Sequence, residues 1–225
     1  MIHQKHSSSH STLKGSPLQI YLTRHGQTDW NQENRLQGQL DIPLNAAGIQ
    51  QAEALSGFLQ NVKIDRAFTS SLVRSEQTAE IVLQNRLLNL EILDNLKELN
   101  LGDWQGKLQT EVSQEFALWQ SNAFATPKSG ETLHAFHTRV SKTWDKLIQD
   151  STAKTQTNVL VVAHKWVNAA ILCHILGLSL NHFWDFATQG NCEVTIIDYP
   201  QGYQGVAYLR DVNLDPTVNF DLIAA

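Results

Sequence analysis

LQIYLTRHGQTDWN (residues 18–31) is the segment from which the remainder of the chain can be interpreted. It opens as an apolar run, Leu18, Ile20, Tyr21 and Leu22, and breaks at Arg24-His25-Gly26. An apolar and aromatic run ending in glycine and a polar cluster predicts a buried strand that stops in a loop. A permanent cation and an imidazole are therefore expected side by side where a strand ends. In α/β sheets, ligands bind outside the carboxyl ends of strands. Gly26 allows close backbone approach there. Histidine supplies a nucleophile or an acid–base group near neutral pH, and arginine a fixed fork for phosphate or carboxylate. The combination points to a phosphoryl-handling site centred on His25. A lone Arg-His-Gly triplet recurs by chance, so other segments have to carry the assignment.

A chain of 225 residues with 42% hydrophobic and 17% charged residues suits one soluble α/β domain with a full core. A net charge of −5 argues against a nucleic-acid or anionic-membrane surface. An anionic substrate has to be held by a local cationic pocket. Cys173 and Cys192 are too far apart for a close-spaced metal motif and too few for a disulfide framework, which favours a reduced, cytoplasmic setting. Residues 1–16 are polar, with His3, His6 and His10 among serines, and lack the apolar middle of a signal peptide. They are expected to be a disordered tail ahead of a single domain spanning 17–225. The apolar stretch 167–180 is short for a membrane span and carries His174.

Along the chain, Asn45 is placed to cap a helix reaching about Gln60, with Ile49, Ala52, Leu55 and Leu59 toward the core. Residues 67–69 predict a short strand, and Ser70 or Ser71 a cap for the helix that carries Arg74, Thr78, Ile81 and Val82. A cation in a first helical turn opposes the helix dipole, so Arg74 is not placed for helix stability and is either a partner of a bound anion or a solvated surface residue. Another strand is expected at 90–93. It is followed by LKELNLGDWQG (96–106), where Glu98 is either a plain surface acid or a carboxyl group raised in pKa by a partly apolar site and suited to proton donation. Leu133, Phe136, Val140, Trp144, Leu147 and Ile148 mark a long amphipathic helix. Its His134 and His137 have no further metal ligands nearby in sequence and are read as packing or surface residues. NVLVVA (158–163) is apolar on both faces, as a central parallel strand requires, and ends at His164-Lys165 before a further helix. Strands are also expected at 192–199 and 205–209, with an irregular end from Asn213. Alternating strands and helices predict a three-layer sandwich, a mainly parallel sheet with helices on both faces. His25, Arg74 and His164 then emerge on one edge.

TRHGQTDWN (23–31), QGQLDIPLNAAG (37–48), SSLVRSEQTA (70–79), KELNLGDWQG (97–106) and VVAH (161–164) together resemble the histidine phosphatase superfamily, the phosphoglycerate mutase-like proteins. GNCEVTIIDY (190–199) is similar to a late strand of the phosphatase branch. The resemblance implies that His25 is the nucleophile carrying the phosphoryl group. It implies that Arg24, Arg74 and His164 bind phosphate oxygens, and that Asn31, Gln37 and Gly38 complete the pocket. Glu98 is implied to protonate the leaving oxygen and then activate water. No metal or cofactor is implied, because guanidinium and imidazolium groups supply the positive charge. The nucleophilic imidazole must be neutral, with its tautomer fixed by a hydrogen bond at the other nitrogen.

Lys165 stands where the family usually has glycine, and it joins the implied substrate-binding set. Residues 99–102, Leu-Asn-Leu-Gly, lack the arginine and tyrosine with which mutases of the family grip phosphoglycerate, and PKSGETL (127–133) resembles the phosphatase branch. The expected activity is that of a phosphomonoesterase on a small phosphorylated metabolite. A phosphoglycerate mutase and a non-catalytic phosphate-binding scaffold are the alternatives. Groups selecting the substrate fall to 104–135 and Lys165. The sequence is compatible with a homodimer.

Overall fold

The computed structural model describes residues 17–154, 156–200 and 207–218. The tail expected over 1–16, and the start of the strand expected at 205–209, lie outside the described residues. Six strands form one sheet: β1 (Leu18–Arg24), β2 (Arg66–Thr69), β3 (Leu90–Ile92), β4 (Asn158–Ala163), β5 (Val194–Tyr199) and β6 (Tyr208–Leu214). Their spatial order is β3-β2-β4-β1-β5-β6. The first four are mutually parallel, and β5 and β6 are antiparallel additions. The sheet is mixed and mostly parallel.

Successive side chains of a strand point to opposite faces, and both faces of the central strands are buried. Leu18, Ile20 and Leu22 of β1, with Val159 and Val161 of β4, pack under α5 (Leu133–Ala153) and α6 (Lys165–Ile175). Tyr21, Leu160 and Val162 point the other way, into a second core with α2 (Ala46–Phe58) and α3 (Val73–Leu83). The helices thus form the two outer layers. Three shorter helices complete the fold: α1 (Asp29–Gln32), α4 (Ser113–Gln120) and α7 (Phe183–Phe186). Among the described residues no helix is long and apolar enough to cross a membrane. Cys173 and Cys192 are free and buried.

Strand register builds the site. Arg24 pairs with Ala163, and Thr69 with Val162. The residues that follow, His25, His164 and Ser70, therefore leave the sheet together. The His25 N–H donates to the Ala163 carbonyl at 3.0 Å, locking the two strand ends.

The structure revises several sequence-based expectations. Ile49 is 43% exposed rather than inward. The buried face of α2 is Gly48, Ala52, Leu55 and Phe58, because Gly48 seats against the backbone of the loop after β1. Neither Ser70 nor Ser71 caps α3. The Val73 N–H donates to Asp41 Oδ1 at 2.7 Å, while Ser70 Oγ is engaged by His164 and Ser71 Oγ by Asp94. The cap comes from a segment some 32 residues earlier, which local pattern cannot reveal. The last strand begins at Tyr208 and continues to Leu214, so the region from Asn213 opens as strand, paired with β5.

A Cβ at Gly48 would overlap the Gln27 carbonyl oxygen, two residues beyond His25. Gly48→Ala is expected to destabilise the protein by about 1–3 kcal/mol, the usual cost of overpacking. Chemical denaturation checks this, and an unshifted midpoint would show that the close pass is not a constraint.

Candidate active site

His25 sits in the first turn beyond β1 and is only 3% exposed. Its Nδ1 lies 2.7 Å from the Gly26 carbonyl oxygen, which can only accept, so Nδ1 carries the proton. The lone pair of Nε2 accepts from Arg74 Nε at 3.2 Å. Burial holds the His25 pKa well below the ordinary imidazole range, reinforced by the Arg74 and Arg24 charges. The imidazole is thus neutral, with one defined tautomer and its free nitrogen turned toward a guanidinium group.

Arg74 comes from the first turn of α3 and is almost fully buried. Its two terminal nitrogens donate to the Leu40 carbonyl at 2.9 Å and the Gly38 carbonyl at 2.8 Å. Those carbonyls belong to the loop whose Asp41 caps α3. Gly38 has φ +53°, a left-handed conformation that suits glycine, and the turn it makes aims the carbonyl at Arg74. Burial lowers the Arg74 pKa to about 10, and the group stays charged at neutral pH. Arg24 donates to the Gln189 carbonyl at 3.0 Å, and its buried Nε has no protein partner.

Glu98 lies beyond a short 3₁₀ turn at Asp94–Leu96. Its carboxylate accepts the Leu99 N–H at 2.9 Å and the Trp166 N–H, at the start of α6, at 3.2 Å. Burial nonetheless dominates and raises its pKa. Its segment is clamped by Arg139 of α5, which donates to the carbonyls of Asn95, Lys97 and Glu98 and pairs with Glu131 at 2.6 Å.

Arg24, His25, Arg74, Glu98, Asn31 and Gln37 all line one cavity of about 450 Å³, as do Gly38 and Lys165. Asn31 Oδ1 is consumed by the Thr28 N–H in a capping box, which leaves its amide NH₂ as the free donor. Gln37 Oε1 is buried without a protein partner. His164 is placed differently. It is fully buried behind His25, with ring centroids 5.2 Å apart, rather than on the cavity wall. Its Nε2 lies 2.6 Å from Ser70 Oγ, and its Nδ1 has no partner. Ser70 Oγ also accepts the Leu72 N–H at 3.4 Å, which fixes the hydroxyl beside the imidazole.

His134 stacks on Phe124 at 5.0 Å, and His137 lies 6.1 Å from His174. Among the described residues no cluster of three or more metal-type side chains occurs. The sequence reading missed Asn191, whose amide donates to the His25 carbonyl at 2.9 Å, and it missed Ser70's contact with His164. It also missed the aromatic wall. Phe116, Trp166 and Trp184 line the cavity with ring centroids 5.6–6.0 Å apart, and Trp30 lines it as well. The tryptophan count of six was a signal, but their meeting point was not written in it.

Comparison with known proteins identifies the family. Residues 20–212 match the sequence profile of the histidine phosphatase superfamily, branch 1. The adenosylcobalamin/alpha-ribazole phosphatase of Escherichia coli K12 is 31% identical over 180 residues, covering 78% of this chain and 87% of that protein. The 2-carboxy-D-arabinitol-1-phosphatase of Triticum aestivum is 33% identical over 207 residues, covering 88% of this chain and 41% of that one. In three dimensions the alpha-ribazole phosphatase of Shigella flexneri superposes with a TM-score of 0.78 at 30% identity, covering 87% of this chain and 96% of that chain. A neutral buried histidine at the end of β1, a buried arginine from α3 and a profile match across nearly the whole described fold have one common explanation: this chain belongs to the histidine phosphatase superfamily.

Proposed function

We propose that the protein is a phosphomonoesterase that hydrolyses a small phosphorylated metabolite through a phosphohistidine formed on His25. The observation that carries this reading is the state of His25: Nδ1 protonated toward Gly26, Nε2 unprotonated and accepting from Arg74, with Arg24 also on the cavity wall. Phosphoryl transfer is mainly positioning plus charge stabilisation. The ester's phosphate enters between Arg24 and Arg74, whose forks match its oxygens. Nε2 attacks phosphorus in line, the bond to the ester oxygen breaks, and Glu98 delivers its proton to that oxygen. Gly26 stabilises the cationic ring that forms. The second step reverses the proton flow: Glu98, now a carboxylate, takes a proton from water as the oxygen attacks the phosphohistidine. Asn31 and Gln37 complete the phosphate cradle, and His164, held by Ser70, backs the His25 ring.

The electrostatics support this division of labour. The acid must start protonated, and burial raises the Glu98 pKa. The nucleophile must start neutral, and burial with two cations lowers that of His25.

Wild-type protein is expected to release phosphate from an aryl phosphate, and His25→Ala to lose about 10³-fold or more in kcat. Interconversion of 3- and 2-phosphoglycerate faster than phosphate release would contradict hydrolysis as the main reaction. In a pH profile of kcat/KM, the acidic limb is expected below the ordinary imidazole value of about 6.5, because His25 stays neutral until its lowered pKa is reached. The alkaline limb follows deprotonation of Glu98. Glu98→Gln is expected to lower the rate and abolish that limb, and an unchanged alkaline limb would assign it to another group. Ser70→Ala should reduce kcat/KM about five- to tenfold, the worth of one hydrogen bond. An unaltered value would show that His164 needs no orienting partner.

A further inference from the structure

Two cations on the cavity wall, Arg35 and Lys165, are not used by the proposed reaction, and of these Arg35 is paired with Glu33. Lys165 is the first residue of α6, immediately after His164, and is half-buried. Nothing about that position favours a lysine. The N-terminal end of a helix repels positive charge. Burial and the neighbouring Arg24 charge both depress its pKa. Among the described residues its ammonium has neither a hydrogen bond nor an ion pair. The two acids within its electrostatic reach are Glu98 and Glu193. Both are occupied, Glu98 by the Leu99 and Trp166 N–H groups and Glu193 by the Gly190 N–H at 2.7 Å.

The charges of the cavity give the same message. Its lining carries Arg24, Arg74, Arg35 and Lys165 as cations and Glu98 as its one carboxylate. Arg35 is neutralised by Glu33 at 2.9 Å. When Glu98 is protonated, ready to donate, and the histidines are neutral, three positive charges remain. A phosphomonoester dianion matches two of them. The third has no counterpart unless the rest of the substrate supplies it. The cavity, at about 450 Å³, has room for more than a phosphate, and Lys165 lines it together with Trp166.

We propose that Lys165 forms a subsite for a second anionic group, so that the preferred substrates are phosphomonoesters bearing a carboxylate or a further phosphate a few bonds from the ester oxygen. This rests on the phosphatase reading above and narrows its substrate class. Arg24 and Arg74 hold the transferring phosphate, and the ammonium holds the anion on the departing alcohol, orienting its oxygen toward Glu98.

Two matched pairs of esters test it: 3-phosphoglycerate against glycerol 3-phosphate, and fructose 1,6-bisphosphate against fructose 6-phosphate. In at least one pair the wild-type kcat/KM is expected to favour the more anionic member by about tenfold or more, the worth of a charge-assisted hydrogen bond. Lys165→Met should collapse that ratio toward unity, and Lys165→Arg should keep most of it. The pair that responds identifies the anion as carboxylate or phosphate. Absence of a preference in both pairs overturns the proposal. So does an equal loss on both members in Lys165→Met, since the lysine would then serve the transferring phosphate. Failure of the underlying reading looks different: no ester yields phosphate, or His25→Ala still turns them over, and either result removes the subsite along with the reaction.

Discussion

Concentrated positive charge, with neither Arg24 nor Arg74 in an ion pair among the described residues, is the constraint on which this structure depends. Arg74 is 1% exposed and Arg24 lies beside it, yet the one carboxylate on the cavity wall is Glu98, which burial biases toward its neutral form. Burying an unpaired charge is costly unless hydrogen bonds offset it. Here backbone carbonyls do so: Gly38 and Leu40 for Arg74, and Gln189 for Arg24. Those bonds neutralise nothing, so the site stays electropositive and receptive to a dianion.

Much of the surrounding architecture follows from holding those carbonyls still. The loop that offers Gly38 and Leu40 also sends Asp41 to cap α3, the helix that carries Arg74. The Gln39 side-chain amide of the same loop donates to the Glu98 carbonyl at 3.0 Å, and its backbone N–H donates to Gln105 Oε1 at 2.7 Å. One loop therefore joins the arginine to the acid. The sheet does the equivalent for the histidines, because parallel pairing of β1 with β4 brings His25 and His164 off adjacent strand ends. The same electropositive field and burial that ready the cavity for phosphate keep both imidazoles neutral. Binding and nucleophilicity have a single physical origin.

What could be read from sequence divides along local and non-local lines. Strands β1, β2 and β4 were legible because buried parallel strands are short apolar runs with abrupt polar ends, and the polar ends named His25 and His164. Helix α5 was legible from its periodicity. The side chains that line the cavity near His25 were legible through the family resemblance, since Arg74 and Glu98 have no local signature distinguishing them from surface residues. Contacts between distant segments were not legible. Ser70 meets His164 across 94 positions, and Asn191 meets His25 across 166. The Asp41 cap and the aromatic wall are of the same kind. Ile49 was misread because helical spacing alone cannot tell that a glycine next to it makes the closest approach.

A covalent intermediate on one defined nitrogen is the central claim, and intercepting it is the most direct measurement. Protein mixed with an aryl phosphate and quenched in alkali, where phosphohistidine survives, can be digested and sequenced by mass spectrometry. A single phosphoryl increment on the peptide containing His25, accumulating further in Glu98→Ala because its hydrolysis slows, is the expected result. Phosphate release with no adduct at any quench time, or an adduct on a different residue, would contradict it.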